Sequence, residues 1–349
     1  MFLSKSTHGV WYVYYVGSDG KTKSKTTRCT IKSDALKFLQ TFKTDEHKKR
    51  TETKIVLLQS FTTDFLAFAN GTFSKGTANI YRASLNKLLS IIGNIPIVSI
   101  TPQHYDKYKM ERLSSHLERD ETRTVSPVTV NIELRTLRAA FSTAVRWGVL
   151  QSNPFSRQKL VPVPESSPIF FSKEDFQKLL NKITEGWLKE IIIFATLTGL
   201  RRGEILNLHW SDVDLSRKTI TIQSSPTFKT KNGKKRIVPL NDTAFYILQS
   251  KANKSLSALV FTLNDKPIFA DWLSHKFKWY VYECNFREAR LHFHSLRHTF
   301  ASWLVQDGVS IYAVKELLGH ADVKTTQVYS HLRSEQLHKE VNLLQISMN

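Results

Sequence analysis

A proline-rich break near the middle of this chain excludes one continuous helical or β-sheet core. Pro154 interrupts a helical pattern, and Val161-Pro162-Val163-Pro164 follows without apolar periodicity. Proline lacks an amide hydrogen and fixes φ, so neither a helix interior nor a central strand is expected there. The chain has 349 residues, which is more than one domain of ordinary size. The sequence therefore predicts a linker at residues 161–165 between separately folded parts.

Residues 1–50 predict a small basic sheet with one helix. They contain 11 Lys or Arg against 4 Asp or Glu. Residues 9–16 are aromatic and β-branched, as strands are, and Ser18-Asp19-Gly20 is a turn signal before a second strand at residues 21–31. Ser33 is a candidate helix N-cap, because apolar residues follow it at helical spacing.

Residues 55–160 predict a helical domain. Four amphipathic segments fit helices at residues 55–69, 77–92, 102–117 and 127–147. The last two begin with a hydroxyl cap and a proline, Thr101-Pro102 and Ser126-Pro127, and Gly148 ends the fourth.

Residues 166–349 predict a mainly helical domain with one β-hairpin. Strand-like runs at 219–223 and 236–240 flank Thr230-Lys231-Asn232-Gly233, and Asn-Gly is typical of a two-residue hairpin turn. The expected fold class is therefore a multidomain α+β chain with parts at 1–50, 55–160 and 166–349.

The net charge of +20 predicts a polyanionic partner. No apolar run approaches the roughly 20 residues of a membrane span, and no signal-peptide pattern is present. Cys29 and Cys284 are the only cysteines, which excludes a disulfide framework and a Cys-rich zinc site. We expect a cytoplasmic protein that binds nucleic acid and no membrane.

Arg201 is a candidate for phosphate chemistry. The apolar helix that includes Ile191 runs into Gly199, and Arg201 follows near the start of the next helix, where a guanidinium suits phosphate oxygens. Glu204 could hold Arg201 by a charge-assisted hydrogen bond. Taken alone, these two residues are better explained as a surface ion pair.

Histidines surround a second arginine. His294 and Arg297 share one face of a predicted helix and can present an imidazole and a guanidinium to one phosphate. His292 and His298 lie close in sequence, so zinc is an alternative, but Ser295 occupies the position of the Glu in an H-E-x-x-H site. A solvated basic face is the other alternative.

His320, Tyr329 and Lys231 are the remaining candidates. A predicted helix begins after Ser310 and ends at Gly319, which leaves His320 in a loop. Asp322 can cap a last helix that holds Tyr329. A lone tyrosine is usually a core residue, and its phenol needs cationic neighbours or a base to act as a nucleophile. Lys231 lies at the hairpin tip, where a lysine is usually solvated. Its basic neighbours could bind phosphates: Lys229, Lys234, Lys235 and Arg236.

The order of these residues resembles the catalytic pattern of the tyrosine recombinase (phage integrase) family. The matching pieces are TGLRRGE, TKNGKKRIVPL, HSLRH, LLGH and TTQVYSH, within residues 168–332. The resemblance implies the DNA breaking-rejoining fold that tyrosine recombinases share with type IB topoisomerases. It extends more loosely to residues 55–160, which resemble the SAM-like core-binding domain, and to residues 1–50, which resemble an arm-type DNA-binding domain.

The resemblance also implies a mechanism. Tyr329 would attack phosphorus to form a 3′-phosphotyrosyl ester, and Lys231 would protonate the departing 5′ oxygen. Arg201 and Arg297 would clamp the non-bridging oxygens. His320 would donate a further hydrogen bond, and His294 would take or share the phenolic proton. The family needs no metal or nucleotide cofactor for this chemistry, and the chain has no glycine-rich nucleotide loop.

The partners implied are double-stranded DNA at attachment sites, a homotetramer on DNA, an excisionase and a DNA-bending host factor. The candidate DNA-binding residues are Lys21, Lys23, Lys25, Lys229, Lys234, Lys235 and Arg236. Leu337, Val341 and Leu344 share one helical face, which could dock on a neighbouring protomer or on the same chain.

Three other functions stay open. A Xer-type resolvase or a type IB topoisomerase would share the tyrosine chemistry, although Xer proteins generally lack an N-terminal basic sheet. A DNA-binding regulator without catalysis would have no need of Lys231 or Tyr329. The N-terminal aromatic residues could also serve protein contacts.

Overall fold

The computed structural model describes residues 1–16, 22–51, 55–117, 120–164, 167–225, 228, 230, 233–252, 257–286 and 290–333. The chain divides into two compact units, at Met1–Pro164 and Glu165–Asn349. Every helix in the described ranges is too short or too polar to span a bilayer.

The first unit begins with a three-stranded antiparallel sheet, which consists of β1 (Phe2–Lys5), β2 (Trp11–Val16) and β3 (Thr22–Thr26). Helix α1 (Lys32–Thr51) covers it, and Val13, Leu39 and Phe42 form the small core between them. The predicted sheet and helix are confirmed, but the strand predicted at residues 21–31 ends at Thr26. Strand β1 was not predicted, and Ser33 lies inside α1, which begins one residue earlier.

The rest of this unit is helical around one short hairpin. Its elements are α2 (Leu58–Thr72), α3 (Lys75–Ile92), α4 (Pro102–Ser114), β4 (His116–Leu117), β5 (Asp120–Thr124) and α5 (Pro127–Arg146). The Ser126 hydroxyl accepts a hydrogen bond from the Thr129 N–H at 3.2 Å, so the predicted cap of α5 is confirmed. The prediction that α4 extends to residue 117 is wrong, because the chain turns into the β4–β5 hairpin.

The predicted linker is shorter than residues 161–165. The side-chain amide of Asn131, on α5, accepts a hydrogen bond from the Val161 N–H and donates one to the Val161 carbonyl, both at 2.8 Å. Asn131 is itself buried. Val161 is therefore part of the first unit.

The second unit is mainly helical. Up to residue 239 its elements are α6 (Lys173–Lys182), α7 (Gly186–Thr198), α8 (Arg202–Leu206), β6 (Val213–Asp214), β7 (Thr219–Ile222) and β8 (Arg236–Pro239). The later elements are α9 (Asp242–Ala252), β9 (Thr262–Leu263), β10 (Lys266–Pro267), α10 (Ala270–Glu283), α11 (Ser295–Gln306), α12 (Ile311–Leu318) and α13 (Lys324–Gln327). Short 3₁₀ turns lie at Ile97–Ser99 in the first unit and at Trp210–Asp212 and Ser330–Arg333 in the second.

Helix α7 is apolar on nearly all sides, which is typical of a helix inside a core. Leu188, Ile191, Ile192 and Phe194 are all buried, and α11 packs against it. The residues that end α7 lie beside those that begin α11, because the Arg297 guanidinium in the first turn of α11 donates to the carbonyl of Gly199. This packing brings the two sequence-distant motifs at residues 199–204 and 294–298 to one place.

Strands β6, β7 and β8 form an antiparallel sheet in that order. The predicted β7–β8 pairing is confirmed, and Ile222 is the partner of Arg236 in the register. Residues 223–235 connect these paired residues, and the turn predicted at Thr230-Lys231-Asn232-Gly233 falls partly outside the described part of the chain. Lys229, Lys231 and Asn232 in that connection lie outside the described residues.

The last predicted helix also differs from the structure. Helix α13 ends at Gln327, so Tyr329 lies beyond it, just before the 3₁₀ turn at Ser330–Arg333. The predicted helix at 310–319 is confirmed, since the Ser310 hydroxyl caps α12 and Gly319 ends it in the left-handed conformation.

Candidate active site

Glu204 holds two arginines from different parts of the second unit. Its carboxylate accepts hydrogen bonds from the Arg201 N–H and from the Arg201 guanidinium, each at 2.9 Å. It also accepts two from the Arg236 guanidinium, at 2.9 and 2.6 Å. The Glu204 side chain is 1% exposed. The predicted Arg201–Glu204 contact is therefore present, but it is a buried three-residue network and not a surface ion pair.

The charge on this network follows from its environment. Burial alone would raise the pKa of Glu204, but the hydrogen bonds and positive charges of Arg236 and Arg201 lower it below its ordinary value. Glu204 is therefore ionised at neutral pH, and it fixes the β8 strand to the start of α8.

A cationic cleft of about 200 Å³ opens beside the network. Its lining includes Arg201, Lys234, Lys235, Arg236, Lys315 and His320. Glu316 is the acidic residue of the lining, and the Lys315 ammonium binds it at 2.7 Å. A concave surface with this charge suits an anion such as a phosphodiester.

Arg297 connects two helix ends. Its guanidinium donates to the Gly199 carbonyl at 2.6 Å and to the Leu318 carbonyl at 2.7 Å, which are the C-terminal ends of α7 and α12. A cation at helix C-termini is stabilised by the helix dipoles. The side chain is 3% exposed, and burial followed by the charge of Arg201 lowers the pKa of Arg297 to about 9. Arg297 remains a cation at neutral pH.

Two glycines make this arrangement sterically feasible. Gly199 and Gly319 end α7 and α12 with φ values of +62° and +67°. A Cβ at Gly199 would lie 2.4 Å from the Phe300 ring, and a Cβ at Gly319 would lie 2.6 Å from Arg236 Cδ. Both positions need a residue that accepts positive φ and has no side chain.

His320 lies in the loop after Gly319, as the sequence predicts. Its Nδ1 is 2.9 Å from the hydroxyl of Thr326, which is buried on α13. Burial and the charges of Arg297, Arg201 and Arg236 lower the pKa of His320 to about 4, so its imidazole is neutral at pH 7.

The hydroxyl of Tyr329 is hydrogen-bonded to Nδ1 of His298 at 2.6 Å. The residue is 2% exposed and packs with Ala301, Val305, Val314 and Leu318. Burial raises the pKa of Tyr329 to about 12, although the nearby charge of Arg297 opposes this shift. The phenol is therefore protonated at neutral pH.

His294 is the residue immediately before α11 and is exposed to solvent. Its ring packs edge-on against that of His298, with centroids 4.9 Å apart. Desolvation of the imidazole by surrounding protein atoms lowers the pKa of His294 well below 6.5, and the charges of His298 and Arg297 add to this shift. His294 is neutral at pH 7 even though its surface is accessible.

The structure thus brings together Arg201, Glu204, His294, Arg297, His320 and Tyr329. Lys234, Lys235 and Arg236 lie at the same cleft, whereas Lys23 and Lys25 are exposed on β3 in the other unit. The remaining predicted residues lie outside the described part of the chain, namely Lys21, Lys229, Lys231 and the tail residues Leu337, Val341 and Leu344.

Three residues of this site have no role predicted from the sequence, namely His298, Thr326 and Lys315, and Arg236 was predicted only as a phosphate ligand. The repeated histidine of HSLRH was a visible signal for His298, since residues 294 and 298 are four apart and lie on one side of a helical turn. Arg236 pairs with Glu204 across 32 positions, and no local signal marked Lys315 or Thr326.

Comparison with protein-family models gives two matches. Residues 170–336 match the phage integrase family, and residues 57–160 match the phage integrase SAM-like domain.

Among curated proteins, the chain is 31% identical over 233 residues to the ICEBs1 integrase of Bacillus subtilis, a match that covers 60% of this chain and 62% of that protein. It is 34% identical over 218 residues to the tyrosine recombinase XerA of Thermococcus kodakarensis, covering 60% of this chain and 73% of that protein. The chain therefore matches less than two thirds of the length of the first relative and more than two thirds of the second.

Among solved structures, the fold is similar to that of the Tn1549 transposon integrase in complex with a circular intermediate DNA, with a TM-score of 0.65 and 19% identity over 81% of this chain and 99% of that one. A lambda integrase dimer bound to a COC′ core site matches with a TM-score of 0.66 and 16% identity, over 99% of this chain and 97% of that one. At these identities the likeness concerns the fold alone.

Proposed function

Because the chain belongs to the phage integrase family of tyrosine recombinases, we propose that it is a site-specific DNA recombinase that integrates or excises a mobile element. The observation that carries the proposal is the convergence of Arg201, Arg297, His320 and Tyr329. These residues come from separate parts of the second unit. Arg201 and His320 line one cleft, and Arg297 donates to the carbonyl of Leu318, two residues before His320. Burial and then the charges of Arg297 and Arg201 lower the pKa of His320, and the charge of Arg297 opposes the rise that burial gives the pKa of Tyr329.

In the proposed reaction, the Tyr329 oxygen bonds to phosphorus and the bond from phosphorus to the 5′ oxygen breaks. The phenolic proton passes to a base, and the departing 5′ oxygen receives a proton from an acid, for which Lys231 is the candidate. The 3′-phosphotyrosyl ester retains the energy of the broken bond, so attack by a 5′-hydroxyl of a partner strand rejoins DNA without a nucleotide cofactor.

The arginines and His320 would stabilise the charge that develops on the phosphate. Arg201 and His320 line the cationic cleft, and Arg201 is oriented by Glu204. Each terminal nitrogen of Arg297 donates one N–H to a backbone carbonyl. The other N–H groups of the guanidinium, and its full charge, remain for the phosphate. Fixed donors of this kind are each worth about 10²–10³ in rate.

Tyr329 must move relative to its buried position for attack to occur. Helix α13 has only four residues, and the chain after it forms a short 3₁₀ turn. We propose that binding of DNA shifts residues 324–333 and opens the phenolic oxygen to the cleft while its hydrogen bond to His298 is kept.

The test is covalent capture on a nicked suicide duplex that carries the element's own junction. Wild type and Tyr312→Phe, whose tyrosine is 71% exposed on α12, should both form a protein–DNA adduct. Tyr329→Phe should bind the same DNA and form none. An adduct in Tyr329→Phe would refute the assignment of the nucleophile.

The integrase proposal is favoured over a Xer-type resolvase by the N-terminal unit. The basic sheet β1–β3 precedes the helical domain, and Xer proteins generally lack such a sheet. The lambda integrase match over 99% of this chain includes that region. The Xer-type alternative keeps support from the XerA relative, and recombination between directly repeated sites without a requirement for residues 1–50 would favour it.

Double-stranded attachment-site DNA, a homotetramer and accessory proteins complete the proposal. Support comes from neighbours solved with DNA, including a lambda integrase tetramer bound to a Holliday junction. Sedimentation of this protein on a synthetic Holliday junction should give four protomers per junction. A stable monomer on the junction would contradict the tetramer.

A further inference from the structure

We propose that His298 is a further catalytic residue, which positions the Tyr329 hydroxyl and accepts its proton during attack on phosphorus. The inference rests on the proposed function, since it requires Tyr329 to be the nucleophile. It replaces the expectation that His294 has this role.

The geometry assigns the contact to His298. Its Nδ1 lies 2.6 Å from the Tyr329 oxygen, a strong hydrogen-bond distance. The Tyr329 ring is buried in one apolar cluster with Ala301, Val305 and Val314, and its hydroxyl meets His298 on α11. His294 instead contacts the His298 ring, edge-on at a centroid distance of 4.9 Å.

Protonation states in the DNA-free chain fit a donor phenol and an acceptor imidazole. Burial raises the pKa of Tyr329 to about 12, so the hydroxyl keeps its proton and donates it. Burial, followed by the charges of His292 and Arg297, lowers the pKa of His298 to about 4, so Nδ1 has a free lone pair at pH 7. This corresponds to the tautomer with hydrogen on Nε2.

Binding of the scissile phosphate would favour protonation of His298. The charged and titratable groups that face His298 are His292, His294, Arg297, His320 and Tyr329. In the free chain burial, followed by the charges of His292 and Arg297, keeps His298 neutral. A bound phosphate places negative charge in the same cluster, which favours the imidazolium. The Tyr329 O–H bond then breaks as the bond from oxygen to phosphorus forms, and the proton moves to Nδ1. On religation the proton returns to the phenol.

The test measures single-turnover cleavage of the suicide duplex by wild type, His298→Asn and His298→Phe. Asparagine can keep the hydrogen bond to the hydroxyl but cannot accept the proton. Both variants should cleave about 10²-fold or more slowly, with DNA affinity unchanged. His275→Asn, an exposed histidine on α10 that has no part in the proposed site, is the matched control and should cleave at the wild-type rate.

A more acidic phenol at position 329 distinguishes a proton-transfer role of His298 from a packing role. Replacement of Tyr329 by a fluorinated tyrosine should restore His298→Asn cleavage by about tenfold or more, because an acidic phenol needs a base less. The same replacement should leave the wild-type rate nearly unchanged. Thermal unfolding of each variant checks that the fold is retained.

The outcomes are distinguishable. An absent adduct in wild type would refute the proposed function itself. Wild-type cleavage in His298→Phe, or faster cleavage, would overturn the inference alone and leave Tyr329 as the nucleophile. A slow His298→Asn that the acidic phenol does not restore would limit His298 to packing, and would also overturn the inference.

Discussion

Replacing Glu204 by Gln tests the network that holds the cleft together. The change keeps the shape of the side chain and removes its charge. Four hydrogen bonds end on this carboxylate, two from Arg201 and two from Arg236. An amide can accept at one oxygen only, and its NH₂ group would face a guanidinium. At least one arginine therefore loses its partner.

The structure allows the cost to be estimated. The Glu204 side chain is 1% exposed, and those of Arg201 and Arg236 are 21% and 12% exposed, so solvent screens the network weakly. Removing one partner of such a buried ion pair typically costs about 3–5 kcal/mol. We expect the free energy of unfolding of the second unit to fall by about 3 kcal/mol, at the lower limit, because one amide oxygen keeps part of the bonding.

The pH dependence of this loss has a definite sign. The folded-state pKa of Glu204 is lowered, so its contribution is complete above the unfolded-state pKa of about 4.3 and disappears as pH falls through the folded value. The difference between wild type and Glu204→Gln should therefore be constant from pH 5 to pH 7 and shrink in stronger acid.

The measurement is denaturant unfolding followed by tryptophan fluorescence, since most of the seven tryptophans lie in the second unit. Glu190→Gln is the matched control, because the Lys251–Glu190 pair is partly exposed, at 20% and 39%, and should contribute at most about 1 kcal/mol. If Glu204→Gln destabilises the unit no more than Glu190→Gln does, the network is not the structural support that its geometry indicates.

Three further changes test other parts of the site. Gly319→Ala should destabilise its unit more than Gly148→Ala destabilises the first unit: both glycines follow a helix end with positive φ, a strain of about 1–2 kcal/mol, but only the Cβ at 319 meets Arg236. Equal losses in thermal unfolding would refute that contact. Arg297→Lys should slow adduct formation by about 10²–10³, because an ammonium cannot reproduce the fork to Gly199 and Leu318. Unchanged single-turnover kinetics would contradict it. Lys234→Gln with Lys235→Gln should reduce the slope of log affinity against log salt by about 0.9 for each phosphate that these lysines neutralise. An unchanged slope would place these lysines away from DNA.

The sequence predicted regular elements well where local signals repeat. Helices α3, α5 and α12 begin at serine caps and carry apolar residues at helical spacing, and their bounds agree with the prediction within a few residues. Elements without periodicity were missed. Strand β1 has the sequence FLSK, without the β-branched residues that marked β7 and β8, and β4 has only two residues.

The candidate site was also predicted only in part. The order of Arg201, His294, Arg297, His320 and Tyr329 was enough to predict which residues belong together, because family chemistry requires those side chains. Their partners were not predicted. Arg236 binds Glu204 across 32 positions, and His298 binds Tyr329 across 31. The prediction that the last helix holds Tyr329 was also wrong, since α13 ends at Gln327.

The sequence by itself determined the chemical groups, the helical patterns, the basic charge and the family. Only the tertiary structure decided that Glu204 serves two arginines, that Arg297 ties two helix ends, and that the phenol of Tyr329 faces His298. The physical reason is the distance over which each signal acts. Helix caps and apolar periodicity involve residues that are only a few positions apart along the chain. Hydrogen bonds and charges act across a few ångströms of space, and only the packing of α7, α11 and α12 determines which side chains are that close.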